Sequence, residues 1–295
     1  MKSTLFLQSV TSIDHAIITP DGSIQGGSYN ASFEVTGDIE PIEAVVVDFG
    51  AIKKKIKGII DDKENGWDHK LWNIRGISNV VYIDTGQVFQ TKIITRFQTL
   101  TVPSNAVKTF DLDGGSIGDA IGKEVEKELR ILYPQANISI VCYLDQTPLI
   151  PKDCTTYAFF TYTHGLKQSS SWGCQNIAHG HYSYIGAQSE KEVDFSSILN
   201  DIDGVNFIWE ENVEDIDGLP GENIFTLIKY KTKERGYFDH SFITDRVKHI
   251  ITPKETTIEN LVEWVRDRYG DSLRNQGAKR LFLSEGLIKG SVLSL

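Results

Sequence analysis

Residues 157–188 read YAFFTYTHGLKQSSSWGCQNIAHGHYSYIGAQ, and this stretch decides how the chain is interpreted. Its alternation of aromatic, β-branched and polar residues predicts two strands paired as a β-hairpin. Residues two apart in a strand share a face, so His179 and His181 can direct both imidazoles at one point. His164, at the end of the preceding strand, can complete a triangle.

Three neutral imidazoles with a free fourth position are typical of a catalytic zinc site. A lone His-X-His pair is most often structural or solvent-facing, so the zinc interpretation depends on His164 as third ligand. A structural zinc site is usually closed by four protein ligands, often thiolates. We therefore interpret Cys174, five residues before His179, as a reactive residue rather than a ligand.

The bulk composition is that of a soluble globular protein. The 295 residues are 40% hydrophobic and 24% charged, which suffices for two domains. A net charge of −10 argues against nucleic-acid and anionic-membrane partners and favours a small-molecule substrate. Three cysteines do not form a disulfide framework, and we expect Cys142 and Cys154 to be core residues. No secretory leader or long apolar span is evident, so we expect a cytoplasmic protein.

The chain shows a weak internal duplication with a long period. In the first half, strands around the turn Pro20-Asp21-Gly22 precede a helix capped by Asp48, and a second helix starts at Ser116. A β-rich stretch, residues 80–107, lies between the helices, and a strand at residues 138–145 ends this half. The sequence predicts two domains, the first half being residues 1–150 and the second half residues 151–295.

The second half repeats the order of the first half. A helix starts at Thr257, and a strand follows at residues 281–285. The region 187–235 fits least well, because Gly204 interrupts the helix expected after Asp194-Phe195. Its acidic residues, up to Asp217, are typical of a solvated loop, and we expect no second metal there.

Taken in order, these motifs resemble the 6-pyruvoyl-tetrahydropterin synthase and 6-carboxy-tetrahydropterin synthase family of the tunnelling fold. The resemblance covers most of residues 157–295. It rests on five motifs in the same order as in the family: Thr163-His164-Gly165, Cys174 followed by His179-Gly180-His181-Tyr182, Asp239-His240, Thr257-Ile258-Glu259-Asn260 and Glu285.

The resemblance implies a role for each of these residues. The three hairpin histidines bind Zn²⁺, which acts as a Lewis acid on the substrate's side-chain oxygens. Cys174 is the proton-abstracting base, with Asp239 and His240 as its relay. Glu285 holds the pterin ring, because a carboxylate can accept two parallel N–H bonds.

The first half departs from the family pattern. Its aligned segment reads Gln25-Gly26-Gly27-Ser28-Tyr29, so Gln25 and Gly27 replace the two hairpin histidines, and no cysteine precedes them. His15 alone cannot hold zinc. Asp145 stands in the place of Glu285, although it is more often a turn residue. The simplest interpretation is a fused tandem whose first half has lost the metal site.

The first half keeps one further motif, Asp68-His69. In this family the active site lies between neighbouring subunits, so the Asp-His pair and the cysteine can come from different units. Asp68 and His69 can therefore complete the zinc site as well as Asp239 and His240, and the sequence leaves both pairs open. Local capping is the structural alternative for Asp68-His69.

The fold class implied is α+β, with two tandem tunnelling-fold domains. Each domain would have an antiparallel four-stranded sheet with two helices on one face. Sheets with free edges gain stability by joining neighbours, and units of this family close into a barrel. We expect a homo-oligomer, a trimer or smaller of the fused chain.

The activity implied is that of a zinc-dependent lyase. It would convert 7,8-dihydroneopterin triphosphate to 6-carboxy-tetrahydropterin, on the route to queuosine and other deazapurine nucleosides. The pyruvoyl-forming reaction is the alternative, because the four residues between Cys174 and His179 lie between the spacings of the two types. A non-catalytic pterin-binding or assembly module is the competing class, and retention of the thiol argues against it.

Overall fold

The computed structural model describes residues 1–42, 44–77, 81–84, 90–215 and 225–295. The elements of the first half are β1 (Lys2–Ile18), β2 (Ile24–Asp38), α1 (Phe49–Ile60), β3 (Lys70–Ile74), β4 (Val81–Asp84), β5 (Gln90–Ile94), β6 (Gln98–Pro103), β7 (Val107–Phe110), α2 (Ile117–Leu132) and β8 (Ser139–Asp145). The elements of the second half are β9 (Thr156–His164), β10 (His179–Gln188), α3 (Ser196–Ile202), β11 (Val205–Trp209), β12 (Val213–Asp215), β13 (Phe225–Thr232), β14 (Gly236–Ile243), β15 (His249–Thr252), α4 (Ile258–Asn275), β16 (Arg280–Glu285) and β17 (Lys289–Ser294).

The two halves repeat one strand order. The first sheet runs β7-β3-β1-β2-β8, and the second runs β15-β11-β9-β10-β16-β17. In both sheets the first two strands form an antiparallel hairpin, and the strand after the next helix pairs in parallel with the first strand. This order agrees with the duplication expected from the sequence. A domain boundary at 150/151 stays a prediction.

A third sheet joins the halves. Its order is β12-β13-β14-β6-β5-β4, so three strands come from each half. At its centre β14 and β6 are antiparallel, with Asp239 opposite Thr101. Backbone hydrogen bonds therefore connect the two halves directly.

The expectation of one antiparallel four-stranded sheet in each half was wrong in this detail. The three sheets have five, six and six strands. The first two are mixed, because β3 and β11 pair in parallel with the strands on both sides. Parallel neighbours require a long connection, and the chain reaches β3 from β1 through β2 and α1, and β11 from β9 through β10 and α3. The coarser expectation of a mixed helix and sheet protein is confirmed.

Two helices pack with each of the first two sheets. In the first core, Ile52, Ile56 and Ile60 of α1 are fully buried with side chains of α2 and β2. In the second core, Val262 and Val265 of α4 pack with side chains of α3, β9, β10 and β16. The helix periodicity in the sequence places these apolar residues on one face.

The predicted helix starts are confirmed. The side chain of Asp48 accepts a hydrogen bond from the Ala51 backbone N–H, and Ser116 forms a capping box with Asp119. Thr257 caps α4. The region 187–235 is more regular than expected, because α3 and β11 take the places of α1 and β3. Gly204, at φ +71°, lies just beyond α3 in the left-handed region that favours glycine.

The two hairpins that open the halves approach each other very closely at Gly26 and Gly180. A Cβ on Gly26 would lie 2.0 Å from the Tyr162 carbonyl oxygen, and a Cβ on Gly180 would lie 2.7 Å from the Gly26 Cα. Only glycine fits both positions, and this contact brings β1 and β2 against the histidine-bearing strand β10.

Some sequence expectations fall outside the described residues. These are residues 80 and 85–89 of the β-rich stretch and Asp217 of the acidic run. In the described ranges, none of the helices combines the length and the apolar character needed to cross a bilayer.

We predict that Gly180→Ala lowers the free energy of unfolding by about 1–3 kcal/mol, because the added methyl group overpacks the contact between the hairpins. The matched control is Gly58→Ala in α1, where a Cβ meets no heavy atom within 4 Å. That change should raise stability by about 0.5–1 kcal/mol. Urea denaturation of the metal-free protein measures both. Equal midpoints for Gly180→Ala and the parent chain would contradict the close contact.

Candidate metal centre and active site

The structure brings His164, His179 and His181 together on the hairpin of β9 and β10. His164 lies opposite His179 in the register, and His181 follows two residues later on the same face. One ring nitrogen from each histidine lies within 4.8 Å of the other two. All three side chains are buried, with 1% exposure or less.

Hydrogen bonds fix which ring nitrogen faces the centre. His164 Nδ1 donates to the Thr256 carbonyl oxygen at 2.8 Å, and His179 Nδ1 donates to the Asn176 carbonyl oxygen at 2.6 Å. Each ring therefore keeps the lone pair on Nε2 free. Such outer partners orient the imidazoles of metal sites and fix their tautomers.

The donor set fits a zinc ion. Nε2 of His164 and Nε2 of His181 lie 3.1 Å apart, and Nε2 of His179 is buried without a hydrogen-bond partner among the described residues. Tetrahedral bonds of about 2.0–2.1 Å to zinc place two nitrogens roughly 3.3 Å apart. Burial lowers the pKa of His164 to about 3 and lowers the pKa of His179 well below its ordinary value. Both rings are thus neutral, as metal ligation requires.

Cys174 lies beside this centre and contacts a histidine from the first half. Its Sγ is 3.7 Å from His69 Nε2, and His69 Nδ1 is 2.6 Å from Asp68 Oδ2. Cys174, His69 and His179 also offer ligand atoms within 4.8 Å of one another. The row Asp68, His69, Cys174 therefore ends at the three-histidine site.

His69 is held in an uncommon backbone conformation, with φ +53°. Its backbone N–H donates to the Asp14 carbonyl oxygen at 2.6 Å, and its own carbonyl accepts from Asn176 Nδ2 at 3.1 Å. Strain of this kind persists only where surrounding contacts fix the residue, and it is common at functional sites. These contacts point the imidazole at the cysteine.

The charge on His69 follows from its neighbours. Burial alone lowers the pKa of His69, but the Asp68 carboxylate, with smaller contributions from Cys174 and Asp14, outweighs burial and raises it well above 6.5. His69 is therefore a cation at neutral pH, and its Nε2–H faces the adjacent sulfur.

The segment that carries Cys174 is tied to both halves. Arg235 stacks over the Trp172 ring at 3.8 Å and donates to the Gly173 carbonyl oxygen at 3.2 Å. The Tyr230 hydroxyl donates to the Gln175 carbonyl oxygen at 3.0 Å. Gly173 lies flat against the His69 ring, where a Cβ would be 2.5 Å from Cγ. These contacts fix the position of the sulfur.

Asp14, which the sequence interpretation did not single out, lies beside His181. Its Oδ1 is 3.2 Å from His181 Nδ1, an ion-pair contact rather than a regular hydrogen bond, and it accepts from the Ser28 hydroxyl at 2.6 Å. Burial raises the pKa of Asp14, but His181, His69 and Lys289 together outweigh burial and lower it. The first half thus supplies a carboxylate behind a ligand of the second half.

Glu285 and Lys289 lie where a cleft of about 660 Å³ reaches the site. Glu285 Oε1 is 3.7 Å from His181 Nε2 and 3.4 Å from Lys289 Nζ. Burial raises the pKa of Glu285, but His181 and Lys289 outweigh it and lower the pKa, so the side chain is an anion. Burial lowers the pKa of Lys289, but Glu285 and Asp14 outweigh it and raise the pKa. Asp68 and His69 line the same cleft.

The structure does not bring Asp239 and His240 to the cysteine, which corrects their assignment as its relay. Both lie on β14 in the third sheet, where His240 Nε2 is 2.8 Å from Gln98 Oε1. His240 is 4% exposed, so it is not available to another subunit either. Asp68 and His69 are the pair beside Cys174.

Matching backbone contacts in the two halves agree with the sequence alignment of the hairpins. The His69 N–H donates to the Asp14 carbonyl oxygen as the Gly204 N–H donates to the Thr161 carbonyl oxygen, so His15 corresponds to Tyr162. His15 lies opposite Gly27 as Tyr162 lies opposite His181, so Gln25 and Gly27 occupy the positions of the hairpin histidines. The His15 ring lies in a stack, 3.6 Å from Trp72 and 5.3 Å from Tyr29.

Asp145 does not take the place of Glu285. Phe33 lies opposite Cys142 as Ala187 lies opposite Leu281, so the equivalent of Asp145 is Ser284. Asp145 Oδ1 accepts from the Thr147 hydroxyl at 2.8 Å, which is a local turn contact. 

The two remaining cysteines are buried, as expected for core positions. Cys142 and Cys154 are 8% and 6% exposed, which confirms the expectation for both. Tyr182 stacks on Phe159 at 5.2 Å, and Tyr184 is 5% exposed.

The signal that identifies Asp14 is weak in the sequence. Asp14 is one polar residue in an alternating strand, and its partner His181 is far along the chain. Lys289 gives no local signal either, because it becomes part of the site only through the turn after β16.

Comparisons with known proteins give a limited result. No protein-family model matches the chain, and no curated protein matches its sequence. Among solved structures, it is similar to Plasmodium vivax 6-pyruvoyltetrahydropterin synthase, with 17% identity and a TM-score of 0.35, covering 48% of this chain and 98% of that chain. A catalytic-residue variant of that synthase has 18% identity to this chain and a TM-score of 0.36, and the match covers 48% of this chain and 98% of that chain. Plasmodium falciparum 6-pyruvoyl tetrahydropterin synthase has 18% identity and a TM-score of 0.34, and the match covers 49% of this chain and 99% of that chain. A likeness at such TM-scores assigns no activity to this chain.

We predict that Asp14→Asn weakens Zn²⁺ binding about 10–100-fold, because it removes the carboxylate behind His181. Competition with a chromophoric chelator measures the affinity. The matched control is Asp61→Asn, in the same cleft, since Asp61 contacts Lys57 and Thr11. Equal zinc affinity in the two variants would show that Asp14 does not act on the metal centre.

Proposed function

We propose that the protein is a zinc-dependent lyase that acts on the side chain of a dihydropterin, with 7,8-dihydroneopterin triphosphate as substrate and 6-carboxy-tetrahydropterin as product. The observation that carries the proposal is the placement of the Cys174, His69 and Asp68 row directly beside three convergent histidines. The order of motifs in the second half supports the choice of pterin chemistry. The product belongs to the route to deazapurine nucleosides such as queuosine.

His164, His179 and His181 would hold the zinc. When bound, zinc acts as a Lewis acid that polarises side-chain oxygens of the substrate and makes the neighbouring C–H protons easier to remove. The protein fixes the rings through Thr256, Asn176 and Asp14, so that little reorganisation is needed.

Cys174 is the general base of the proposal. Its sulfur faces the metal centre on one side and the cationic His69 on the other, so a thiolate there has a partner of opposite charge. Asp68 holds the His69 ring in orientation and compensates its charge. A proton taken from substrate carbon would reside on Sγ. His69 is already protonated on both ring nitrogens, so it would stabilise the thiolate before this step rather than accept the proton.

Glu285 is the proposed anchor of the pterin ring. It is an anion with a side-chain exposure of 13%, at the inner end of the cleft. A carboxylate in this position can accept two parallel N–H bonds from the amidine-like edge of the ring, as it does from arginine. Lys289 then keeps Glu285 ionised.

A specific observation bears on each of two alternative functions. The pyruvoyl-forming reaction on the same substrate uses the same residues, and the four-residue spacing between Cys174 and His179 does not separate the two reactions. A non-catalytic pterin-binding or assembly module has no need of a cysteine next to a cationic histidine, so this contact favours an enzyme.

A homo-oligomer, a trimer or smaller, is part of the proposal, as is a cytoplasmic location. The edge strand β8 carries Val141 and Tyr143, which are 47% and 50% exposed. An apolar strand edge of this kind is typical of a surface that pairs with a neighbour.

Product identification tests the proposed activity. The zinc-loaded protein is incubated with 7,8-dihydroneopterin triphosphate, and the products are separated and identified by mass. We expect 6-carboxy-tetrahydropterin; a 6-pyruvoyl product would select the alternative reaction. Absence of turnover in protein that carries one zinc per chain would contradict the lyase and favour the module.

We predict that Asp68→Asn lowers turnover about 10²–10⁴-fold with zinc content unchanged, because His69 loses the carboxylate that orients and charges it. The matched control is Asp239→Asn, the same change in the other Asp-His pair, which should alter turnover less than about threefold. Turnover per bound zinc measures both. Equal losses in the two variants would remove Asp68 and His69 from the mechanism.

A further inference from the structure

A second cavity, of about 200 Å³, lies where the third sheet meets β9 and β11. Its polar lining includes Gln98, Asn206, His240, Arg246 and Lys248. None of the described residues that line it is Asp or Glu. It contains His240, a residue singled out by its motif and not used by the proposed lyase.

The cavity follows from the unequal turns of the two halves. In the register, His15 pairs with Lys70 as Tyr162 pairs with Val205, and the Gly204 N–H donates to Thr161 as the His69 N–H donates to Asp14, so Gly204 is the equivalent of His69. The connection of β9 to β10 spans residues 165–178 and places Cys174 beside His69. The connection of β1 to β2 spans only residues 19–23, and the space beside Gly204 stays open.

Hydrogen bonds determine what His240 offers to this cavity. Gln98 Nε2 donates to the Gly22 carbonyl oxygen at 3.2 Å, so Gln98 Oε1 faces His240 Nε2 at 2.8 Å and accepts its proton. The lone pair of the ring is then on Nδ1, which is buried and has no hydrogen-bond partner among the described residues. Burial lowers the pKa of His240 to about 3, so the ring is neutral. A buried acceptor in this state requires a donor.

The mouth of the cavity is cationic. Lys248 Nζ donates to the Asp203 carbonyl oxygen at 2.7 Å, which leaves its charge uncompensated. The guanidinium of Arg246 has no hydrogen bond or ion pair with any residue of the described ranges, although its backbone N–H is bonded to the Ile243 carbonyl oxygen. The charged ends of Lys248 and Arg246 can bind an anion, whereas His240 Nδ1 can accept a hydrogen bond from a donor.

We propose that this cavity binds inorganic phosphate in its singly protonated form. Hydrogen phosphate supplies anionic oxygens to Arg246 and Lys248, and its P–OH supplies the donor for His240 Nδ1. Sulfate has the same shape without the proton. The proposal concerns a site separate from the metal centre and does not depend on the proposed lyase activity.

Isothermal titration of the zinc-loaded full chain at pH 8 tests the proposal, with inorganic phosphate, sulfate and methyl phosphate as probes. A phosphate monoester has lost its second proton at this pH, because its second pKa is about 6. We expect phosphate to bind at least about tenfold more tightly than sulfate or methyl phosphate. Equal binding of the three anions, or no binding of phosphate, would overturn the proposal.

A pair of variants assigns the binding to this cavity rather than to zinc. Arg246→Ala should weaken phosphate binding about tenfold or more, because it removes the unpaired guanidinium. Arg75→Ala removes an arginine that pairs with Asp111 outside the cavity, and it should leave phosphate binding unchanged. Unchanged binding in Arg246→Ala would overturn the assignment to this cavity.

Discussion

Three imidazoles that meet at one buried point are the constraint on which the rest of the structure depends. Backbone carbonyls hold the protons of His164 and His179 on Nδ1, so the Nε2 lone pairs of these two rings face the site and cannot satisfy one another. Nε2 of His181 lies 3.1 Å from Nε2 of His164, and Asp14 faces Nδ1 of His181. Burying such acceptors without a partner is costly. A divalent cation resolves this conflict, and the residues around the site are arranged as its outer partners.

The first half, which lacks the three histidines, supplies residues that surround the three-histidine centre of the second half. It supplies Asp14 behind His181, and it supplies Asp68 and His69 beside Cys174. These contributions require the two hairpins to lie against each other, which the glycines at 26 and 180 permit. Groups of the first half therefore surround the three-histidine site of the second half.

The sequence was most informative where the determinants are local. The rule that residues two apart share a strand face predicted the meeting of His179 and His181, and capping signals predicted the helix starts at Asp48, Ser116 and Thr257. It was least informative where contacts are long-range. The third sheet pairs β14 with β6, and no local pattern specifies that pairing. The choice between the two Asp-His pairs depended on this sheet, because it places His240 beside Gln98.

X-ray absorption at the zinc edge, on purified chain with its metal content measured, tests the central claim most directly. The account predicts one zinc per chain with three nitrogen ligands, a light-atom ligand in the remaining place, and no sulfur among the ligands. A sulfur ligand at about 2.3 Å would make Cys174 a structural ligand and contradict its role as base. Absence of zinc from protein purified without chelators would contradict the metal centre itself.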